Sequence, residues 1–211
     1  MMIGDINKYK YDKMKQQKTD KEKENWISQE EVLDVYKKLE KSTHHLWTKD
    51  TLTKLEFQRL QDYVILSCYV LIPPRRLLDY TEFILNGEIN QKNNGYNSAM
   101  KVFTFQVYKT ANYYGTQNVE LPKKLLNIVR RWKRINTNKY MFIDIKGNKL
   151  TSVKLNQRLN KIFNKKISAS MLRKIYITDV VLKDVPKLNE LQDIAQDMGH
   201  SVNQQVLYAR K

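Results

Sequence analysis

The stretch IPPRRLLDY, residues 72–80, sets the frame for reading the rest of the chain. An apolar helix is expected ahead of it, from about Leu52 to Leu71. Pro73 and Pro74 must end that helix, because proline lacks a backbone donor and restricts the residue before it. Pro74 also suits the first turn of a following helix, expected from Arg75 to about Leu85. Arg75 and Arg76 then lie at a helix start, where guanidinium groups and free backbone N–H groups together suit a phosphate. An exposed arginine pair of no special role has the same local sequence.

Upstream, residues 1–25 mix lysine with acids and few large apolar groups, which predicts a basic polar tail or linker. Order is expected from Trp26. Ser28 and Glu31 have capping-box spacing, and Val32, Val35, Tyr36 and Leu39 repeat at helical spacing behind them. Downstream, the polar residues 86–98 read as a connection. Val102, Phe103, Phe105 and Val107 predict a strand running to Lys109, and residues 117–121 a returning strand across the connection TANYYGT. A helix from Pro122 turns Leu125, Leu126, Val129 and Trp132 inward. Its outer face carries Lys123, Lys124, Arg130, Arg131, Lys133 and Arg134, which suits either solvent or a nucleic-acid backbone. Residues 140–145, YMFIDI, predict a third strand closed by a turn at 146–148. Helices are expected at about 152–164, 169–183, 188–198 and 202–210, with Gly199 suited to a helix C-terminus. The pattern is an α+β fold, mostly helical, with a small three-stranded antiparallel sheet. Residues 26–211 form its single domain.

Charge gives the first hint of function. The chain has 38 Lys+Arg against 22 Asp+Glu, a formal net charge of +16. Such a surplus favours nucleic acid, whose neutralised phosphates release counterions. A lysine- and asparagine-rich genome inflates the same count without any functional meaning. No apolar run approaches the roughly 20 residues of a membrane span, and the first residues lack the apolar core of a secretory signal. One cysteine, Cys68, excludes an intramolecular disulfide and fits a reducing compartment. With three histidines and that cysteine, a structural zinc site would need an unusual ligand set.

Five elements recur in an order that carries more weight than any one of them. Arg76 is followed three residues later by Asp79. Lys109 ends the strand before TANYYGT. Ser170-Met171-Leu172-Arg173 places an arginine on an apolar helix, where it needs an anionic partner. Met198-Gly199-His200-Ser201 precedes a helix, and Tyr208 follows His200 by 208 − 200 = 8 residues. Together they resemble the catalytic domain of the tyrosine recombinase (phage-integrase-like) family, over about residues 26–211. The proline-arginine box and the serine at 170 look most like recombinases of large DNA viruses and their mobile elements. Arg76 rather than Arg75 is preferred as the first catalytic arginine, since Arg75 would place Leu78 where the family has an acid.

The resemblance implies a catalytic set of Arg76, Lys109, Arg173, His200 and Tyr208, with further DNA contacts from Arg75, Ser170, Lys174 and Ser201. It implies double-stranded DNA as partner, self-association as a tetramer on DNA, and no metal or cofactor. The expected setting is intracellular, in a host nucleus or a cytoplasmic virus factory. Tyr208 would attack a phosphodiester to give a 3′-phosphotyrosine, with the arginines on the non-bridging oxygens and Lys109 as general acid. The sequence departs from the family in three places. Ser170 stands for the usual histidine, the His200–Tyr208 gap is one residue short, and three residues follow Tyr208 where many relatives continue into a helix that docks on a neighbour. Only about 25 residues precede Trp26, where relatives carry a helical clamp domain. A catalytic fragment or a minimal protein with a basic tail is expected, binding DNA weakly and with steep salt dependence. A type IB topoisomerase uses the same nucleophile and cationic cage. A non-catalytic DNA-binding module and a basic α/β protein of unrelated role are the remaining readings.

Overall fold

A computed structural model describes residues 17–198 together with 201 and 202. They divide between two compact units. One runs from Asn25 to Val181; the other joins the residues up to Glu24 with those from Leu182 on. The second unit carries the helix Leu188–Asp197. No helix among the described residues is long and apolar enough to cross a membrane.

The larger unit is built around one buried helix. After α1 (Asp20–Asn25) come α2 (Gln29–Thr43), a 3₁₀ segment (His44–Thr48) and α3 (Lys54–Val70). Capping boxes start both long helices: Ser28 with Glu31, and Thr53 with Glu56. Each satisfies backbone donors that the first turn would otherwise leave open. From Leu60 to Tyr69 every residue of α3 is buried. A helix apolar all round belongs at the centre of a core, and α3 packs against α2 and against two later helices, α6 (Lys123–Ile135) and α7 (Ser152–Phe163). Trp132 of α6 is fully buried against Phe57, ring centroids 4.9 Å apart, and its indole N–H donates to the Met141 carbonyl at 2.9 Å.

Between the helices lies a sheet of β1 (Gly95–Asn97), β2 (Val102–Phe105) and β3 (Gln117–Glu120), in that order and antiparallel throughout. Two of its strands are the expected ones. The third is not residues 140–145. There the backbone is satisfied piecemeal: Met141 N–H donates to Phe83, while the Gln61 amide both donates to and accepts from Ile143, each at 2.9 Å. Only isolated bridges, Ile84 with Tyr140 and Ile143 with Lys149, remain of the expected strand. The asparagine-rich connection supplies the sheet's other edge instead. Buried Asn94 makes this possible. Its Oδ1 accepts from the N–H groups of Gln106 and Val107, both at 2.8 Å, and its Nδ2 donates to the carbonyls of Asp79 and Val107.

Two helices are also shorter than expected. After the prolines the chain stays irregular through Arg76, and α4 is a single turn, Leu78–Thr81. It cannot run on to Leu85, because Ile84 N–H donates to Asn94 and Leu85 N–H to Lys139. The helix α8 (Ala169–Tyr176) passes into one π turn, Ile177–Val181. The Asp179 carboxylate accepts from the Gln29 N–H at 2.8 Å, which ties this end to the start of α2.

Gly95 is a point where the sheet edge admits no side chain. A Cβ there would lie 2.8 Å from Ile89 Cγ1 and 2.9 Å from the Ile84 carbonyl oxygen. The carbonyl belongs to a backbone bridge and cannot turn aside. Gly95→Ala is expected to destabilise the fold by about 1–3 kcal/mol, as overpacking does, read as a lower denaturant midpoint with unchanged slope.

Candidate active site

Three arginines meet in a recess of about 210 Å³ between α4, the β2–β3 hairpin and α8. That is smaller than the roughly 300–1,000 Å³ of small-molecule pockets. It suits a compact group projecting from a larger ligand.

Arg75 is committed to the protein. Its Nε donates to Asp79 Oδ2 and its Nη1 to Gln117 Oε1, both at 2.9 Å. Its guanidinium lies 3.8 Å from the Phe105 ring centroid and 5.2 Å from that of Tyr108. The carboxylate three residues after Arg76 therefore pairs with Arg75, at i,i+4 spacing. Arg76 and Arg173 line the same recess, and the side chain of neither makes an ion pair among the described residues. Burial, and then the charge of Arg76, depress the Arg173 guanidinium below its ordinary range, with Asp79 opposing. Three cations and one carboxylate leave a surplus of 3 − 1 = +2 in a half-buried recess. Such a place penalises its own cations and is relieved by an anion.

Two buried polar atoms near these arginines, Oδ1 of the recess-lining Asp79 and the Tyr69 hydroxyl, have no hydrogen-bond partner among the described residues. Burial pushes the Tyr69 phenol up, nearby Cys68 and Asp79 add to that, and Arg173 opposes it.

A larger cleft of about 590 Å³ lies along α7. Its one half-buried cation is paired: Arg158 bonds Asp62 through Nε at 2.6 Å and Nη2 at 2.5 Å, while Lys154 pairs with Asp144 at 2.8 Å and Lys146 and Lys161 are exposed. Two half-buried guanidinium groups without an ion pair among the described residues, not volume or net charge, single out the arginine recess. On α6, Lys124 pairs with Glu40 and Arg131 stacks over Trp47, but Arg130, Lys133 and Arg134 gather beside Asn86 and Ser98 with no acid among them.

The expected site residues fall out unevenly. Arg76 and Arg173 come together, with Arg75 behind them as a brace. Lys109 does not end a strand. β2 stops at Phe105, where Asn94 takes the next backbone donors, and Lys109 is exposed in the following turn, outside the recess but between its lining residues Tyr108 and Thr110. Ser170 is exposed in the first turn of α8, which Ser168 caps, and does not line the recess. Lys174 and Ser201 are exposed, Ser201 in the second unit. His200 and Tyr208 lie outside the described residues. Sequence reasoning missed Tyr108, Tyr114 and Gln117 as recess-lining residues. The pair of tyrosines in TANYYGT was the available signal.

No family model and no curated protein matches the sequence. Among solved structures, the chain is similar to the crystal structure of XerA recombinase, with a TM-score of 0.50 and 13% identity, over 88% of this chain and 58% of that one. The chain thus spans a little over half the length of that relative. What the likeness establishes is the architecture alone: a tyrosine-recombinase-like α+β fold, helices around a small antiparallel sheet.

Proposed function

We propose that this chain is a site-specific DNA recombinase that breaks and rejoins strands through a phosphotyrosyl bond. The observation that carries the reading is the juxtaposition of Arg76 and Arg173 in a recess with surplus positive charge, on a recombinase-like fold. A phosphodiester is the anion that fits. It is compact, projects from a polymer, and gains charge on its non-bridging oxygens in the transition state, where fixed guanidinium donors act most strongly.

The Tyr208 phenol oxygen attacks phosphorus, and the bond to the 5′-oxygen breaks. The products are a 3′-phosphotyrosine and a 5′-hydroxyl. Lys109 hands its proton to the leaving oxygen, and the phenol proton is lost to solvent. The new ester conserves the bond energy, so the 5′-hydroxyl of the same or another strand reverses the step without a nucleotide cofactor. His200 donates one more hydrogen bond to the phosphate. Duplex DNA is the partner, and four chains around two duplexes are the assembly that strand exchange requires. The acid-free cluster of Arg130, Lys133 and Arg134 supplies backbone contacts away from the chemistry.

The test is a nicked suicide duplex, in which the short cleaved piece diffuses away and traps the intermediate. A denaturant-resistant adduct of one chain on a 3′-phosphate is expected, together with strand exchange between duplexes. Relaxation of supercoils without exchange would select a type IB topoisomerase. DNA binding with no adduct would leave a non-catalytic module.

A further inference from the structure

Two tyrosines at the hairpin tip have no use in the chemistry just described. Tyr113 is 91% exposed and Tyr114 is 69% exposed, while Tyr36, Tyr63, Tyr69, Tyr80 and Tyr96 are all buried. Exposure of Tyr113 and Tyr114 does not come from a loose tip. The connection is one helical turn, α5 (Ala111–Tyr114), closed by Gly115 at φ 64°, where a side chain would be strained. Gly115 N–H donates to Ala111 and the Tyr108 hydroxyl to the Gly115 carbonyl, both at 2.8 Å, and β2 and β3 hold the two ends. The fold thus builds a braced turn and spends it on presenting two rings, 6.4 Å apart, to the outside. Tyr114 also forms part of the wall of the arginine recess.

We infer that Tyr113 and Tyr114 are a stacking platform for a nucleobase next to the phosphate held by Arg76 and Arg173. This rests on the reading of the recess as a phosphodiester site. A nucleotide carries base and phosphate on one sugar, so a ring in the wall of a phosphate pocket is placed to meet the adjoining base. Base stacking on an exposed aromatic face tolerates any sequence. A stacked base must leave its pair, so the platform acts on an end freed by the break. It holds that end near the recess while the 5′-hydroxyls exchange.

The experiment uses the full chain and two oligonucleotides: an uninterrupted duplex, and a nicked one with an unpaired 2-aminopurine beside the nick. Wild type and Tyr113→Phe/Tyr114→Phe are expected to quench the fluorescent base equally. Tyr113→Leu/Tyr114→Leu is expected to abolish the quench and weaken binding of the nicked probe roughly ten- to a hundredfold. Its affinity for the uninterrupted duplex should fall less than that for the nicked probe, since Tyr114 also lines the recess, and its melting temperature should not change. Quench retained in the leucine pair overturns the inference, as does a phenylalanine pair as defective as the leucine pair. Absence of any quench by the wild type overturns it too. An Arg76→Ala/Arg173→Ala arm reads the recess separately. Undiminished duplex binding there sinks the phosphate reading, whereas lost binding there beside an unaffected leucine pair sinks the platform alone.

Discussion

Tyr208→Phe is expected to abolish the covalent adduct on the suicide duplex while leaving duplex affinity within about twofold of wild type, because the substitution deletes the nucleophile and no cation. The phenol oxygen is the only atom removed. On the proposed reading, affinity for DNA comes from Arg76, Arg173 and the basic cluster on α6, which this change leaves in place. The two readouts must therefore separate: adduct lost, binding kept. Loss of both would mean that the terminal segment holds DNA or the fold. An adduct that survives in Tyr208→Phe would move the nucleophile elsewhere, and the structure says where to look. Tyr108 and Tyr114 both line the arginine recess, but the Tyr108 hydroxyl is engaged with the Gly115 carbonyl. Tyr114→Phe in the Tyr208→Phe background is then the deciding variant.

Much of this architecture was legible in the sequence, for identifiable reasons. The helices α2 and α6 announce themselves by a capping box or a proline start and by inward apolar spacing, and α3 by an apolar run that two prolines end, features that depend on neighbours within a turn. β2 follows from its β-branched and aromatic residues, and β3 from its place just beyond the connection TANYYGT. What failed depended on distant partners. Residues 140–145 have the composition of a strand, but a strand needs a neighbour, and the Gln61 side chain, 82 residues away, takes the place of one at Ile143. Gly95–Asn97 has the composition of a loop and becomes a strand because the amide of Asn94 pins it to the far end of β2.

The site divides along the same line. That an arginine box and a helical arginine should share one pocket was implied by the family resemblance that their order carries. Which arginine is which was not. The family's pattern of an arginine followed three residues later by an acid matched Arg76 to Asp79. The backbone at 73–77 is not helical, and Arg75 is drawn across the Phe105 ring to Gln117, 42 residues away. A contact between side chains so far apart in sequence leaves no mark on local pattern.

That division of labour predicts opposite phenotypes for neighbouring arginines. Arg76→Ala and Arg173→Ala are each expected to slow adduct formation by about 10²–10³, the usual cost of one oxyanion donor. Each should also flatten the salt dependence of DNA binding by about one phosphate. Neither should destabilise the fold, because neither side chain makes an ion pair among the described residues, and the Arg173 cation is already disfavoured by burial and by Arg76. Arg75→Ala should do the reverse at the level of folding. It strips Asp79, 3% exposed and with Oδ1 already unpartnered, of its one ion pair among the described residues. Breaking a buried pair from one side costs about 3–5 kcal/mol, seen as a large drop in denaturant midpoint. Arg75→Ala/Asp79→Asn, which removes the stranded charge as well, should recover part of that loss. Single-turnover adduct rates and unfolding curves on the same preparations settle the assignment. If Arg75→Ala stays folded and loses the adduct while Arg76→Ala reacts normally, the two residues have exchanged roles: the arginine bound to Asp79 holds the phosphate, and its neighbour merely lines the entrance.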